Sequence, residues 1–221
     1  MKRQRSWLIL VAASVPLLWG AGTAFGDSLL YDFASGAFVN PVPASVVPAN
    51  TTASSLSGVG GIQGGTGTPP PSGGPVNNSG PSGTHYVSFT VTPNAGFSLD
   101  VLALSFDERN LTAVGPTGFD VYTSVDGFTS SILGGALAQS ATGFTNHSVA
   151  LSGPYSAISG PFTVRISGFG GPASAPQGIW LLDNIALTVT AVPEPPTLAL
   201  LAICAVGLMR RRHSRRSVPL V

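Results

Sequence analysis

Apolar and polar residues alternate with a period of two in several short segments of the chain. In residues 86–91, Val87, Phe89 and Val91 are apolar and the residues between them carry hydroxyl groups. Successive side chains of a β-strand point to opposite faces, so this alternation predicts a half-buried strand. Four further segments are strand-like: residues 119–123 and 162–166, which alternate, and 99–106 and 179–189, which are longer and more apolar.

Turn-forming residues separate these segments. The 221 residues include 28 Gly and 19 Pro, and only 9% are charged. This composition disfavours helices and favours turns. Many short strands between turn clusters predict an all-β sandwich, with residues 29–33 as a first strand.

Residues 57–84 interrupt the strand pattern. Fifteen of these 28 residues are Gly or Pro, and none is charged. Such a segment cannot bury enough apolar surface to offset the entropy lost on ordering. We therefore predict a mobile loop inside the domain. An inter-domain linker is the alternative, but too few residues precede the segment for a separate core.

The N-terminal segment has the three parts of a secretory signal peptide. Basic residues (Lys2, Arg3 and Arg5) are followed by a mainly apolar run from Trp7 to Trp19 and by Ala24-Phe25-Gly26. The run is shorter than the ~20 residues that a membrane span needs, which disfavours an uncleaved helix. We predict a signal peptide over residues 1–26 and a mature chain that begins near Asp27.

The C-terminal segment also has three parts. Val192-Pro193-Glu194-Pro195-Pro196 precedes an apolar run, residues 197–209, which predicts a single hydrophobic helix, and Arg210, Arg211 and Arg212 follow. Arginines at the end of an apolar helix stay on the cytoplasmic side of a membrane. The alternative to a sorting signal is an ordinary C-terminal anchor.

Residues 192–216 resemble the PEP-CTERM sorting signal of Gram-negative bacteria. The motif, the apolar run and the arginines occur in the family's order, although Pro196 stands where a small polar residue is more usual. The resemblance implies recognition by an exosortase, a membrane cysteine protease-transpeptidase, at Pro193, Glu194 and Pro195. Arg210, Arg211 and Arg212 would retain the tail in the inner membrane until processing.

The exported body, residues 27–191, is acidic. It holds eight acidic residues but only Arg109 and Arg165 as basic residues, a net charge of −6. Nucleic acid is therefore not an expected partner, because phosphate backbones are bound by positive charge. The single cysteine, Cys204, lies in the C-terminal apolar run, so the body has neither a disulfide nor a thiolate metal site.

The body itself resembles the exported domains that usually precede this sorting signal. The resemblance is carried by residues 86–96, 104–109, 115–116, 119–128, 162–169 and 180–185. It implies a jelly-roll-like antiparallel β-sandwich similar to carbohydrate-binding modules. The complete expectation is this sandwich between an N-terminal signal peptide and one C-terminal hydrophobic helix.

The body contains no recognisable catalytic motif. It lacks a nucleophile elbow, a phosphate-binding loop and a zinc-binding His-Glu-x-x-His helix. His85 and His147 flank apparent strands, where solvated histidines are common. Asp107 and Glu108 are adjacent, so a strand sends them to opposite faces, and we expect one of them to pair with Arg109 or Arg165.

Two residues of the last strand-like segment are candidates for binding. An ionised Asp183 in an apolar strand needs a partner. In the carbohydrate-binding jelly rolls that this strand resembles, a similarly placed Asp helps to hold a structural calcium, for which Asp32 is a possible companion. An Asp that bonds the backbone is the alternative. Trp180 could stack on a sugar ring, but its apolar surroundings favour a core position.

These observations predict a non-enzymatic protein of the cell surface or extracellular matrix. It would be exported, anchored transiently in the inner membrane, processed by an exosortase and associated with exopolysaccharide or biofilm. A carbohydrate-binding module is the alternative, and a secreted hydrolase with a carboxylate site assembled by the fold is a third possibility. Apart from calcium, no cofactor is expected.

Overall fold

The computed structural model describes residues 26–33, 41–59, 85–111, 115–139, 143–170 and 180–194. The predicted signal peptide, the apolar C-terminal run and Arg210, Arg211 and Arg212 lie outside the described residues. Within the described ranges, no helix is long and apolar enough to cross a membrane.

The described part of the chain is built from ten β-strands and two single-turn 3₁₀ helices. The strands are β1 (Asp27–Tyr31), β2 (Thr51–Ala53), β3 (Ser57–Val59), β4 (Tyr86–Pro93), β5 (Phe97–Asn110), β6 (Gly118–Thr123), β7 (Leu133–Ala136), β8 (Thr145–Ala150), β9 (Phe162–Phe169) and β10 (Trp180–Pro193). The 3₁₀ turns are Ser124–Asp126 and Gly153–Tyr155.

The strands form two antiparallel sheets that face each other. One sheet has four strands in the order β1-β10-β5-β8, and the other has six, in the order β2-β4-β9-β6-β7 with β3 beside β2 on β4. Without the two short edge strands β2 and β3, eight strands remain, and apart from the β6–β7 hairpin each connection crosses between the sheets. This is the jelly-roll arrangement, so the predicted all-β jelly-roll sandwich is confirmed.

The core lies between the two sheets and follows the period-two pattern. Val87, Phe89 and Val91 of β4 are buried, while the hydroxyl-bearing residues between them are half-buried. Phe106 of β5 and Phe119 of β6 meet across the sheets with ring centroids 5.5 Å apart. Burial of each such side chain stabilises the fold by about 1.5–3 kcal/mol. The alternation in the sequence therefore sets which face of each sheet becomes core.

The predicted loop at residues 57–84 begins later than expected. Ser57–Val59 form β3, in which Ser57 pairs with Ser88 and Val59 pairs with Tyr86. A three-residue strand can form here because β4 supplies the backbone partners, and strand pairing does not require apolar side chains. Residues 60–84 lie outside the described part of the chain.

The last strand, β10, contains a β-bulge. Its register against β5 shifts between Asp183 and Ala186, and Asn184 has a positive φ of 48°. Asn tolerates this left-handed conformation better than most residues. The bulge bends β10 and sets the direction of the polar side chains around it.

Candidate functional site

The sorting motif continues the last strand without a linker. Val192 pairs with Ser98 of β5, and Pro193 pairs with Phe97. The backbone N–H of Glu194 then donates to the carbonyl of Gly96 at 2.8 Å. The first two residues of the predicted motif are therefore attached to the sandwich, and Pro195 lies outside the described residues.

The turn between β4 and β5 supplies the acceptor for this attachment. The N–H of Phe97 donates to the carbonyl of Asn94 at 3.0 Å, which closes the turn. Gly96 has a φ of 84°, a conformation that favours glycine. Pro193 has no N–H to donate, but it stands at the end of its strand, where proline is tolerated. Local sequence therefore fixes the geometry of the junction.

Asp107 and Asp183 are brought together on the outer face of the four-stranded sheet. They are direct cross-strand partners in β5 and β10. Side chains at such positions have Cβ atoms about 4.5–5.5 Å apart. Asp120 lies in β6 of the other sheet, so it does not join this pair.

Asparagine amides surround this carboxylate pair. Asn146 Nδ2 donates to Asp107 Oδ1 and Asn184 Nδ2 donates to Asp107 Oδ2, both at 2.8 Å. Asp183 Oδ1 accepts the backbone N–H of Asn184, also at 2.8 Å. Donors of this kind offset the repulsion between two carboxylates. The arrangement holds the bulge of β10 against β5 and β8.

Of the two calcium candidates, Asp183 lies in β10 and Asp32 lies just beyond the end of the neighbouring strand β1. Asp32 follows directly after Tyr31, which pairs with Ile185 in β10, so the backbone of Asp32 is close to the bulge. Among the described residues, no three or more His, Cys, Asp and Glu side chains form a group that could hold a metal ion. Calcium takes six to eight oxygen ligands, and one oxygen of Asp183 is bonded to the backbone. Calcium binding stays a prediction.

Glu108 lies on the opposite face of β5 from Asp107, inside the sandwich. Glu108 is 4% exposed. Glu108 Oε2 accepts a hydrogen bond from Trp180 Nε1 at 3.1 Å, and Oε1 lies 3.4 Å from His147 Nε2. The imidazole of His147 packs against Phe119, with ring centroids 4.5 Å apart. We call Glu108, Trp180 and His147 the buried polar cluster.

The buried polar cluster decides between the two interpretations of Trp180. Its side chain is 2% exposed and its indole N–H is bonded to Glu108, so Trp180 is a core residue and not an exposed platform for sugars. His147 is likewise not a solvated strand-end residue, because it is the third residue of β8 and packs on the core. Sequence reasoning missed the cluster, although Glu108 shares strand parity with the apolar Leu104 and Phe106.

Arg165 is held by aromatic rings. Its guanidinium carbon lies 3.6 Å from the centroid of Phe128 and 4.6 Å from that of Tyr86. Such cation–π contacts are worth about 0.5–2 kcal/mol. In the described residues, Arg165 contacts these rings, while asparagine amides, Trp180 and His147 contact the carboxylates of Asp107 and Glu108. The alternative pairing of one of these carboxylates with Arg109 stays a prediction.

Comparison with known proteins gives structural neighbours of low identity. The K1 cleaved adhesin domain of Lys-gingipain from Porphyromonas gingivalis W83 shares 13% identity, with a TM-score of 0.35, covering 73% of this chain and 98% of that domain. A CBM35 domain from Paenibacillus barcinonensis shares 18% identity, with a TM-score of 0.24, covering 76% of this chain and 100% of that domain. No curated protein matches the chain.

The C-terminal segment matches a known family model. Residues 191–216 match the PEP-CTERM protein-sorting motif. This match confirms the predicted sorting signal at residues 192–216. The motif implies recognition by an exosortase and export in a Gram-negative type of cell. The chain is therefore a PEP-CTERM sorting-domain protein, with its sorting motif joined directly to a β-sandwich.

Proposed function

We propose that the protein is a non-enzymatic component of the cell surface or extracellular matrix. It is delivered outside the inner membrane with its sandwich folded, and it acts there in association with exopolysaccharide. The observation that carries this proposal is the sorting motif at residues 191–216, which begins within the closing strand of the sandwich. Both hydrophobic ends act in export, and the acidic sandwich is the domain that is exported.

Processing occurs at or near Pro193-Glu194-Pro195. The apolar run at residues 197–209 holds the tail in the inner membrane, and the following arginines keep its end on the cytoplasmic side. A thiolate of the sorting enzyme attacks a backbone carbonyl near the motif. The peptide bond breaks, the body becomes an acyl-enzyme, and the membrane segment leaves with the new amine. Water or an acceptor amine then releases the body.

Mass spectrometry of the mature protein tests this proposal. The protein is purified from cells that contain the sorting enzyme and from cells that lack it. We expect a mature chain that begins near Asp27. This chain should end near the motif only when the sorting enzyme is present. Intact residues 193–221 on the mature form from competent cells would contradict processing. Full-length protein in the cytosol would contradict export.

Carbohydrate binding is the second candidate function. The observation in its favour is Arg165, whose guanidinium lies between the rings of Tyr86 and Phe128 beside the hydroxyl-bearing residues of β4. Flat rings and a guanidinium are groups that contact sugars and their acidic substituents. The buried Trp180 takes no part.

A polysaccharide pull-down with the exported body separates the two functions. Under the carbohydrate-binding function, the wild-type body is retained on an acidic polysaccharide and Arg165→Met loses most of that retention. The methionine keeps an unbranched apolar side chain but removes the charge. Equal retention of both proteins would contradict a binding site at Arg165.

A further inference from the structure

The sorting motif is paired within a folded sheet. A processing enzyme would need the backbone of the motif unpaired. Val192 and Pro193 are in register with Ser98 and Phe97, and the N–H of Glu194 is bonded to Gly96. Enzymes that cleave peptides commonly bind the substrate as an extended strand through its backbone groups. Strand β5 occupies those groups on one side of the motif.

The strand end is weakly attached beyond Val192 and more firmly attached at Ala191. Beyond Val192, the hydrogen bond from Glu194 to Gly96 holds the chain, since Pro193 has no N–H to donate. The side chain of Val192 is 36% exposed, so it adds little apolar burial. Ala191, by contrast, packs against the core. Detachment of the strand end therefore stops at about Ala191.

We infer that the β4–β5 turn acts as a clamp on the sorting motif, and that the sorting enzyme engages the motif only after residues 192–194 detach from β5. Detachment breaks the bond from Glu194 to Gly96 and the pairing of Val192 with Ser98, whose Oγ also donates to the carbonyl of Val192 at 3.5 Å. Breaking one backbone hydrogen bond shifts the equilibrium between attached and detached ends by about two- to tenfold, so the shift here is at least that large. A ligand that binds only the detached form loses affinity by the fraction detached. The clamp thus lowers the processing rate by about the same factor. This inference rests on the proposed processing by an exosortase.

The clamp depends on backbone geometry and not on a particular side chain. Added carbon at Gly96 would contact nothing within 4 Å, so space is not the reason for a glycine there. The positive φ of 84° is the reason, because it directs the carbonyl of Gly96 toward Glu194. The turn is therefore a positioning element for the sorting reaction.

A linker insertion tests the clamp in the full-length chain. Gly-Ser-Gly-Ser is inserted between Val192 and Pro193, and processing is followed by pulse-chase in cells that contain the sorting enzyme. We expect the rate to rise by about two- to tenfold, since the linker frees the motif from β5. The matched control places the same insertion in the exposed segment between Ser130 and Ser131, where the rate should not change.

A disulfide lock tests the same inference in the opposite direction. Ser98→Cys and Val192→Cys place two thiols at paired positions. The variant also carries Cys204→Ser, which removes the native thiol, and the disulfide forms in an oxidising compartment. The locked chain should be processed at least tenfold more slowly than the reduced one. A reductant should restore the rate, which separates the lock from misfolding.

The outcomes distinguish this inference from the function on which it rests. If wild-type protein is not processed in competent cells, the proposed function fails. If wild-type protein is processed and the linker leaves the rate unchanged, the clamp is wrong and the function stands. A rate that falls on insertion of the linker would also overturn the clamp, because the enzyme would then require the attached edge.

Discussion

Replacement of Trp180 by phenylalanine should destabilise the sandwich strongly. The substitution removes the donor for Glu108 Oε2, whose hydrogen bond is 3.1 Å long. Glu108 is 4% exposed, so water cannot easily replace the lost donor. A hydrogen bond to a charged group contributes about 1.5–3 kcal/mol, and the smaller ring leaves unfilled volume that adds about 1 kcal/mol. We expect the free energy of unfolding to fall by about 2.5–4 kcal/mol.

A double-mutant cycle isolates the hydrogen bond from the change in volume. Glu108→Met removes the acceptor and keeps a side chain of similar length. The double variant Glu108→Met with Trp180→Phe lacks both partners, so neither is left unpaired by the other's loss. Removal of both partners of a buried bond costs less than the sum of the single losses. We expect the coupling free energy between the two sites to be about 1–2 kcal/mol.

Urea unfolding of residues 27–194 provides the assay. The transitions are followed by far-ultraviolet circular dichroism, because Trp180 is itself the tryptophan of this body. The matched control is Ser105→Ala, a change on the solvent side of the same strand β5, which should cost less than about 1 kcal/mol. Additivity within about 0.5 kcal/mol across the cycle would refute a direct bond between Glu108 and Trp180.

Three further predictions follow from single sites. Burial, followed by the charge and hydrogen bond of Asp120, raises the pKa of Tyr122 to about 12. The neutral phenol is thus favoured in the folded state, so the urea midpoint should hold up to about pH 10 and fall between pH 10 and 12, while Tyr122→Phe should reduce that fall. Ala157 has a φ of 54°, so Ala157→Gly should leave the free energy of unfolding unchanged or raise it by up to about 1 kcal/mol, measured in urea. If calcium binds near Asp183, it should raise the melting temperature of wild type but not of Asp183→Ala; an unchanged response in the variant would end the calcium hypothesis.

The period-two pattern predicted the sandwich because the alternation within each strand determines which of its two faces is buried. In β4 every second residue is buried, as the apolar positions require. Asp107 and Glu108 likewise lie on opposite faces of β5, as adjacent strand residues must. The edge strands β2 and β3 are different, because three-residue strands carry too little pattern and depend on β4 for their partners.

The partners within the polar sites could not be read from local sequence. Trp180 is 72 residues from Glu108 along the chain, and His147 is 39 residues from it. The contact between Asp107 and Asp183 depends on the register of β10 against β5, and the bulge after Asp183 shifts that register. A bulge of one residue changes which side chains share a face, and a single sequence does not disclose it.

The antiparallel register of the first strand against the last one has a consequence for export. Asp27 pairs with Val189, so the polypeptide enters the sandwich at the same pole from which it departs after Pro193. If the apolar segments of residues 1–26 and 197–209 enter one membrane, as we propose, both are joined to this same end of the sandwich. The opposite end of the sandwich, where Asn110 pairs with Trp180, would then face away from the membrane. Under the same proposal, cleavage after residue 26 would leave residues 197–209 as the remaining attachment to the membrane.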